Sequence, residues 1–400
     1  MNGHDKVTAR VEGPLFRLRA DWLVRARVRA IAAVVALATL GSCSKGDRSS
    51  PRAERPTRPV GVPADPSIVR APSSALAPSS ALAPPSAPAP PSALVLDACG
   101  GGRRLTVHFY DVGQALAALV DLPDGRHVLV DAGDMPRRPP GCERCRLEEP
   151  LLRKLEADLR GAPIDLLWIT HQHADHLGGA AGVLHTFRVG VYADNGRDAS
   201  KAEVKRTHRA ARETGAAVRV IDRDDPVPLR DSPDVALAAE LPATWPESCA
   251  HDPNECSIGL RIDYCASSVL FTGDAEHDEE ARLDPGEVTL LQVGHHGSET
   301  STTPGFLAKT RPHYAVISAG KPGEGMNRDY CHPRAGIVTR LTRVLGGAAS
   351  QTIVAFDGER CDRAVPSDWH AVPASDRLWE TARDGDVVLS TTGDGVFQRQ

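Results

Sequence analysis

Three imidazoles and one carboxylate fall within six residues of this chain, in Thr170-His171-Gln172-His173-Ala174-Asp175-His176-Leu177-Gly178-Gly179. Side chains alternate along an extended segment, so His171 and His173 point the same way and can share one metal ion. A turn after them would aim Asp175 and His176 at a second ion. Two ions about 3.5–4 Å apart can share a water, lower its pKa and hold it for attack on a phosphoryl or carbonyl centre. Capping a helix uses one such side chain and not four, so capping does not account for the cluster.

A second signal is Val269-Leu270-Phe271-Thr272-Gly273-Asp274-Ala275-Glu276, where strand-type residues run into Gly-Asp. The glycine lets backbone and carboxylate approach a crowded centre, and Asp274 can offer one oxygen to each of two ions. Asp111-Val112-Gly113-Gln114 and Val130-Asp131-Ala132-Gly133-Asp134 also place carboxylates at strand ends. Asn254-Glu255-Cys256-Ser257 precedes an apolar strand, Ile258 to Tyr264, and the nearest histidine there, His251, is out of register with it.

The H-x-H-x-D-H-x-G-G stretch resembles the signature of the metallo-β-lactamase superfamily of metallohydrolases. Further segments resemble the nuclease-like domain of ComEC-type competence proteins: Gly294-His295-His296-Gly297-Ser298, Ala319-Gly320-Lys321 and Tyr330-Cys331-His332-Pro333, with Ser301-Thr302-Thr303-Pro304 between them. The resemblance covers Leu105 to Val338 and implies two divalent metal ions, Zn or Mn. Their ligands would come from His171, His173, Asp175, His176, Asp274 and His332. Asp131 would orient a ligand histidine, Asp175 would serve catalysis as well as metal, and His295, His296 and Lys321 would contact substrate or move a proton. Two departures stand out. Ala115 and Leu116 replace the Gly-Asp that usually ends the family's first motif, and Glu299 replaces an often basic residue.

The elements that must hold these residues are short. Leu105–Tyr110, Ala117–Leu122 and His127–Val130 read as strands, with a turn at Pro123-Asp124-Gly125. Leu147–Leu159 reads as a helix before the strand Ile164–Ile169, which delivers the metal loop at its C-terminal end. Helices over Gly178–Phe187 and Lys201–Thr214 alternate with strands over Val189–Tyr192 and Val218–Ile221. Strands over Val288–Val293 and Tyr314–Ser318 follow, and Thr392-Gly393-Asp394-Gly395 closes a last strand. This mixture fits sheets with helices packed outside, and the resemblance implies an α/β fold, the αββα sandwich of the metallo-β-lactamase type, over residues 103–400. Residues 357–386 match no recognised pattern, and Cys361 is placed to staple them to the body.

Ahead of this domain, Arg17, Arg19, Arg25, Arg27 and Arg29 precede the apolar stretch Ala30–Leu40 and then Leu40-Gly41-Ser42-Cys43. That order describes a signal segment over residues 1–43, too short in its apolar core to span a bilayer. Leu-Gly-Ser-Cys resembles a bacterial lipobox, so the expectation is an exported lipoprotein, periplasmic or on the cell surface, in contact with the membrane through a lipidated Cys43. The signal begins late, which points to a translation start downstream of Met1. Residues 44–102 are a Pro/Ala/Ser-rich linker that can bury almost nothing and is expected to be disordered.

Setting Cys43 aside leaves eight of the nine cysteines, an even set suited to disulfides in an oxidising compartment. Cys142-Glu-Arg-Cys145 could be half of a zinc knuckle, but no second C-x-x-C completes it. Residues 1–43 carry seven Lys/Arg and three Asp/Glu, leaving 40 basic against 49 acidic residues, a net of −9. So acidic a chain has no general attraction for polyanions. Five Trp, five Tyr and seven Phe supply no evident base-stacking surface. The expected function is hydrolysis by a dinuclear-metal-activated water, on a phosphodiester, small or nucleic acid, with no protein partner evident. The alternatives are a small lactone, amide or thioester as substrate, and a non-catalytic, metal-retaining surface domain.

Overall fold

Alternation in Leu-Thr-Val-His-Phe sets the first strand, β1 (Leu105–Phe109), which buries Leu105, Val107 and Phe109 and leaves Thr106 and His108 half-buried. The computed structural model describes residues 99–135, 150–223 and 225–400. The expected signal segment, Cys43, the linker up to residue 98, Cys142 and Cys145 lie outside the described residues. Among the described residues no helix is long and apolar enough to cross a membrane.

A hairpin of β2 (Ala118–Asp121) and β3 (His127–Val130) follows, turned at Pro123-Asp124-Gly125, where Gly125 takes a φ of 87°. Helix α1 (Pro150–Leu159) leads to β4 (Ile164–Trp168), α2 (Ala174–Leu177) and α3 (Ala180–Thr186) to β5 (Val189–Asp194), and α4 (Ala202–Thr214) to β6 (Ala217–Val220). Because a helix carries the chain back each time, β3, β4, β5 and β6 pair in parallel.

The second half repeats that plan. Strands β7 (Val235–Glu240), β8 (Gly259–Tyr264) and β9 (Ser267–Phe271) pair antiparallel. After α5 (His277–Glu280), β10 (Leu290–Gln292) and β11 (Tyr314–Ile317) join in parallel across α6 (Pro304–Thr310). Then α7 (Asn327–Tyr330) and α8 (Ala335–Leu345) lead to a separate antiparallel pair, β12 (Gln351–Phe356) and β13 (Trp369–Ala374). Strand β14 (Leu378–Glu380) pairs in parallel with β11. After α9 (Thr381–Asp384), β15 (Val387–Thr391) runs antiparallel beside β1, with β16 (Gln398–Arg399) at the edge.

Two mixed sheets result, ordered β16-β15-β1-β2-β3-β4-β5-β6 and β14-β11-β10-β9-β8-β7. Their facing sides share one core, with Val107, Phe109 and Trp168 from the first meeting Leu260, Phe271 and Leu290 from the second. The outer face of the first sheet buries Leu155 of α1, Val183 of α3 and Val204 of α4. The outer face of the second buries Phe306 of α6 and Ile337 and Leu341 of α8. Helix, sheet, sheet and helix thus stack as an αββα sandwich. Residues 357–386 belong to this body. They supply β13, which helps cover α8, and β14, an edge of the second sheet.

Among the described residues, three disulfides join Cys99 to Cys265, Cys249 to Cys256 and Cys331 to Cys361, with Cα atoms 6.3, 5.1 and 5.7 Å apart. The last ties the segment after β12 to the loop that carries His332.

Glu380, at the end of β14, is 1% exposed and its Oε1 has no hydrogen-bond partner. Burial pushes its carboxyl up to about 8, against the opposing pull of Arg383. An acid held protonated in the fold and free to ionise when unfolded loses stability as pH rises from its unfolded value toward its folded one. Stability should therefore fall between about pH 4.5 and 8, by on the order of 5 kcal/mol from this group. In Glu380→Gln, denaturant unfolding across that range should lack this slope. An identical slope in the variant would refute the assignment.

Candidate metal centre

The site forms where the carboxyl ends of the parallel strands meet. Asp131 follows β3 directly, is fully buried and takes a φ of 56°. It accepts hydrogen bonds from the Thr170 backbone N–H at 2.8 Å, from Thr170 Oγ1 at 2.8 Å and from His176 Nδ1 at 2.7 Å. A buried carboxylate needs such donors, and here they all come from the loop after β4 and from α2. The bond to Nδ1 settles the tautomer and turns His176 Nε2 the other way. The close approach explains the two glycines of the motif. A Cβ at Gly178 would collide with Met135 N, and one at Gly179 with Ala132 O.

The second sheet brings its own groups to the same point. Gly273, after β9, takes a φ of 57° and packs so tightly on Thr170 that a Cβ there would meet Thr170 Oγ1. Gln292, on β10, holds this turn: its Oε1 accepts from Thr272 N and Gly273 N at 2.8 and 2.9 Å, and its Nε2 donates to Gly273 O. Asp274 is thereby set 2% exposed between the sheets. His296, with a φ of 53°, donates from Nδ1 to Ser318 O at 2.7 Å and turns its Nε2 inward.

Four ligand-type atoms converge. His176 Nε2 lies 3.2 Å from Asp274 Oδ2 and 3.3 Å from His296 Nε2. His296 Nε2 lies 3.5 Å from Asp274 Oδ2 and 3.4 Å from Asp175 Oδ2. One such atom from each of Asp175, His176, Asp274 and His296 lies within 4.8 Å of all the others. Four ligands placed tetrahedrally about 2.0–2.1 Å from one ion are about 3.3–3.4 Å apart, so these side chains fit a divalent cation. A second pair stands beside them: His171 Nε2 is 3.1 Å from His173 Nδ1, the separation of two ligands sharing an ion. Asp274 Oδ1 is buried with no partner, an acceptor still available once Oδ2 serves the first group.

The electrostatics match. Burial alone would depress His176, but Asp274 and Asp131 hold it well above the ordinary histidine value. Burial would raise Asp274, yet His176, His296 and His295 hold it well below the usual carboxylate range. Asp175 is likewise lowered, because the hydrogen bond from His296 and the charge on His176 outweigh its burial. His171 is driven well below its ordinary value by burial and by neighbouring His176. These carboxylates stay charged in the interior only because cationic groups face them.

Three of the predicted residues have surroundings of their own. His296, assigned to substrate contact, takes a corner of the four-atom group, because its left-handed backbone and its bond to Ser318 aim the ring at Asp274. His332, expected as the last ligand, is not in that group. It is 5% exposed, its ring centroid lies 5.4 Å from that of His295, and its Nδ1 is buried without a partner. Lys321 is exposed and does not line the cavity over the centre. That cavity, of about 260 Å³, is walled by Gln114, Asp175, Asn254, Asp274, His295 and Tyr330 among others. His295 sits 2.9 Å by Nδ1 from Glu276 Oε1 and 3.8 Å by Nε2 from Asp274 Oδ2.

Sequence reasoning overlooked Gln292 and Gln114. Gln292 had a signal, an amide inside the apolar strand run Val288–Val293. Gln114 accepts from Gly320 N by Oε1 at 3.0 Å, which turns its Nε2, buried and unpartnered, away from that bond.

Residues 110–321 match the family described as the metallo-beta-lactamase superfamily. ComE operon protein 3 of Bacillus subtilis is 30% identical over 252 residues, 59% of this chain and 30% of that protein. Recombination protein 2 of Haemophilus influenzae is 29% identical over 216 residues, 53% of this chain and 24% of that protein. The chain thus spans less than a third of either relative. Among solved structures, the metallo-beta-lactamase fold protein YhfI from Bacillus subtilis superposes with a TM-score of 0.31 at 14% identity, over 48% of this chain and 70% of that one.

If Asp131 fixes the ring of His176, Asp131→Ala should weaken divalent-metal binding by about 10–100-fold. Calorimetric titration with Zn²⁺ or Mn²⁺ would measure this, and undiminished affinity in a folded variant would refute the role.

Proposed function

The chain belongs to the metallo-beta-lactamase superfamily, and from that premise we propose that it is a metal-dependent hydrolase of phosphodiesters. The observation that carries this reading is the four-atom group of Asp175, His176, Asp274 and His296, with the His171–His173 pair one loop turn away and Asp274 Oδ1 buried without a partner. Two divalent ions, Zn or Mn, would supply an activated water and stabilise charge developing on the phosphoryl oxygens.

The chain's own residues do the rest. Asp131 and Ser318 fix the tautomers of His176 and His296. Asp175 contributes a carboxylate oxygen at the rim of the cavity. Gln114 aims an unsatisfied amide N–H at substrate, where a non-bridging phosphoryl oxygen is the matching acceptor. His295, hydrogen-bonded to Glu276 and raised above its ordinary value by Asp274 and Glu276 against the effect of burial, is placed to give a proton to a leaving oxygen. His332 is a buried neighbour of His295 in this reading, and Lys321 has no part in the chemistry.

Support for a phosphodiester comes from these donors and from a relative named a recombination protein. The cavity's volume, about 260 Å³, suits a phosphodiester with part of one flanking group better than a duplex. The net of −9 beyond residue 43 agrees, since it gives no general attraction for polyanions. We further propose export and anchoring through lipidated Cys43, with a tether shorter than the expected 44–102, since residues from Cys99 on are fastened to the body by the Cys99–Cys265 disulfide. The three disulfides support an oxidising compartment.

Purified protein with Mn²⁺ or Zn²⁺ should cleave bis(p-nitrophenyl) phosphate and single-stranded DNA, and His171→Ala should lower turnover by roughly 100-fold or more. Nitrocefin and a simple lactone should be poor substrates. Turnover unaffected by His171→Ala, or confined to nitrocefin or lactone, would overturn the proposal.

A further inference from the structure

The His171–His173 pair needs more than two imidazoles and Asp274 Oδ1 to close a four-coordinate site. His251 is exposed and lines a different cavity of about 540 Å³, which shares only His173 with the one over the centre. Asn254 lines the central cavity together with His173 and Asp274.

Its amide is 6% exposed and its orientation is fixed by chemistry. Nδ2 donates to Glu276 Oε1 at 3.0 Å and lies 3.5 Å from His295 Nε2, and a carboxylate oxygen so placed calls for the NH₂ end. The other end of the amide, Oδ1, is buried with no hydrogen-bond partner, as is Asp274 Oδ1. Both residues line the same small cavity as His173, and an orphaned acceptor on each is a demand that a cation satisfies and a hydrophobic neighbour does not.

We propose that Asn254 Oδ1 is a protein ligand of the ion held by His171 and His173, alongside Asp274 Oδ1. The assignment rests on the dinuclear reading given above. Glu276, itself 2.9 Å from His295 Nδ1, then acts as a positioning residue that keeps the amide oxygen turned to the metal. An amide oxygen is a hard, neutral donor, so an oxygen in place of a third imidazole shifts preference from Zn²⁺ toward Mn²⁺. The two sites should load unequally, with this one the weaker.

The whole chain, stripped with chelator and titrated with Mn²⁺, should take up two ions by calorimetry and elemental analysis. Asn254→Ala, shown folded by circular dichroism, should retain one, with affinity for the other reduced by about tenfold or more. Asn254→Asp combined with Glu276→Gln, which keeps an amide donor facing the new carboxylate, should keep two and tighten the weaker site, and Asn254→His should shift that site toward Zn²⁺. Two ions at wild-type affinity in Asn254→Ala would overturn the ligand assignment alone. Fewer than two ions in the wild type would overturn the dinuclear reading with it. If Asn254→Ala does not fold, the Asn254→Asp, Glu276→Gln pair decides, and an unchanged weaker site would refute the proposal.

Discussion

A carboxylate with no access to water, Asp131, is the constraint on which the centre depends. Its charge can remain in the interior only if several donors meet it, and those donors are Thr170 and His176. Meeting that demand pulls the loop after β4 against the end of β3. Ala132 N bonds His176 O and Gly179 N bonds Gly133 O along the same contact. One buried charge therefore sets a loop, a helix start and the direction of an imidazole nitrogen together.

The same logic governs the opposing groups. Asp175 and Asp274 are like charges crowded at one point, and His176 and His296 beside them offset the cost. His295 and His296 both hold left-handed backbone angles, φ 46° and 53°, a conformation that is costly for residues with a Cβ. The bonds of His296 to Ser318 and of His295 to Glu276 are what hold them there. Strain in the backbone is accepted where it directs a nitrogen into the centre.

Much of this was legible in the sequence, because the ligands of the first half lie within six residues and their spacing follows from local geometry alone. The Gly-Asp after β9 was legible for the same reason. The placing of His296 and His332 was not, because one stands in the turn after β10 and the other just past α7, and nothing local says which ring reaches the four-atom group. What separates them is the backbone turn at His296 and the position of Ser318 O, and the latter depends on β10 and β11 pairing in parallel. Lys321 looked functional through its neighbours in sequence, while its exposure is a property of the fold. Residues 357–386 gave no local pattern since β14 is three residues long and exists by virtue of β11, about sixty residues away.

Neither half of the sandwich carries a complete site. The first sheet contributes Asp131, His171, His173, Asp175 and His176, and the second contributes Asn254, Asp274 and His296. What aligns the two sets is the buried interface between the sheets, and it is tied at the centre's edge by backbone. Trp168 Nε1 donates to Ile258 O at 2.9 Å, and Ile258 N donates to Thr170 O at 2.9 Å. The residue after Trp168 leads directly to the metal loop, and the residues before Ile258 include Asn254. Packing the sheets and assembling the ligands are thus one event, so any ion that binds the assembled set also stabilises the packed sandwich over its separated halves.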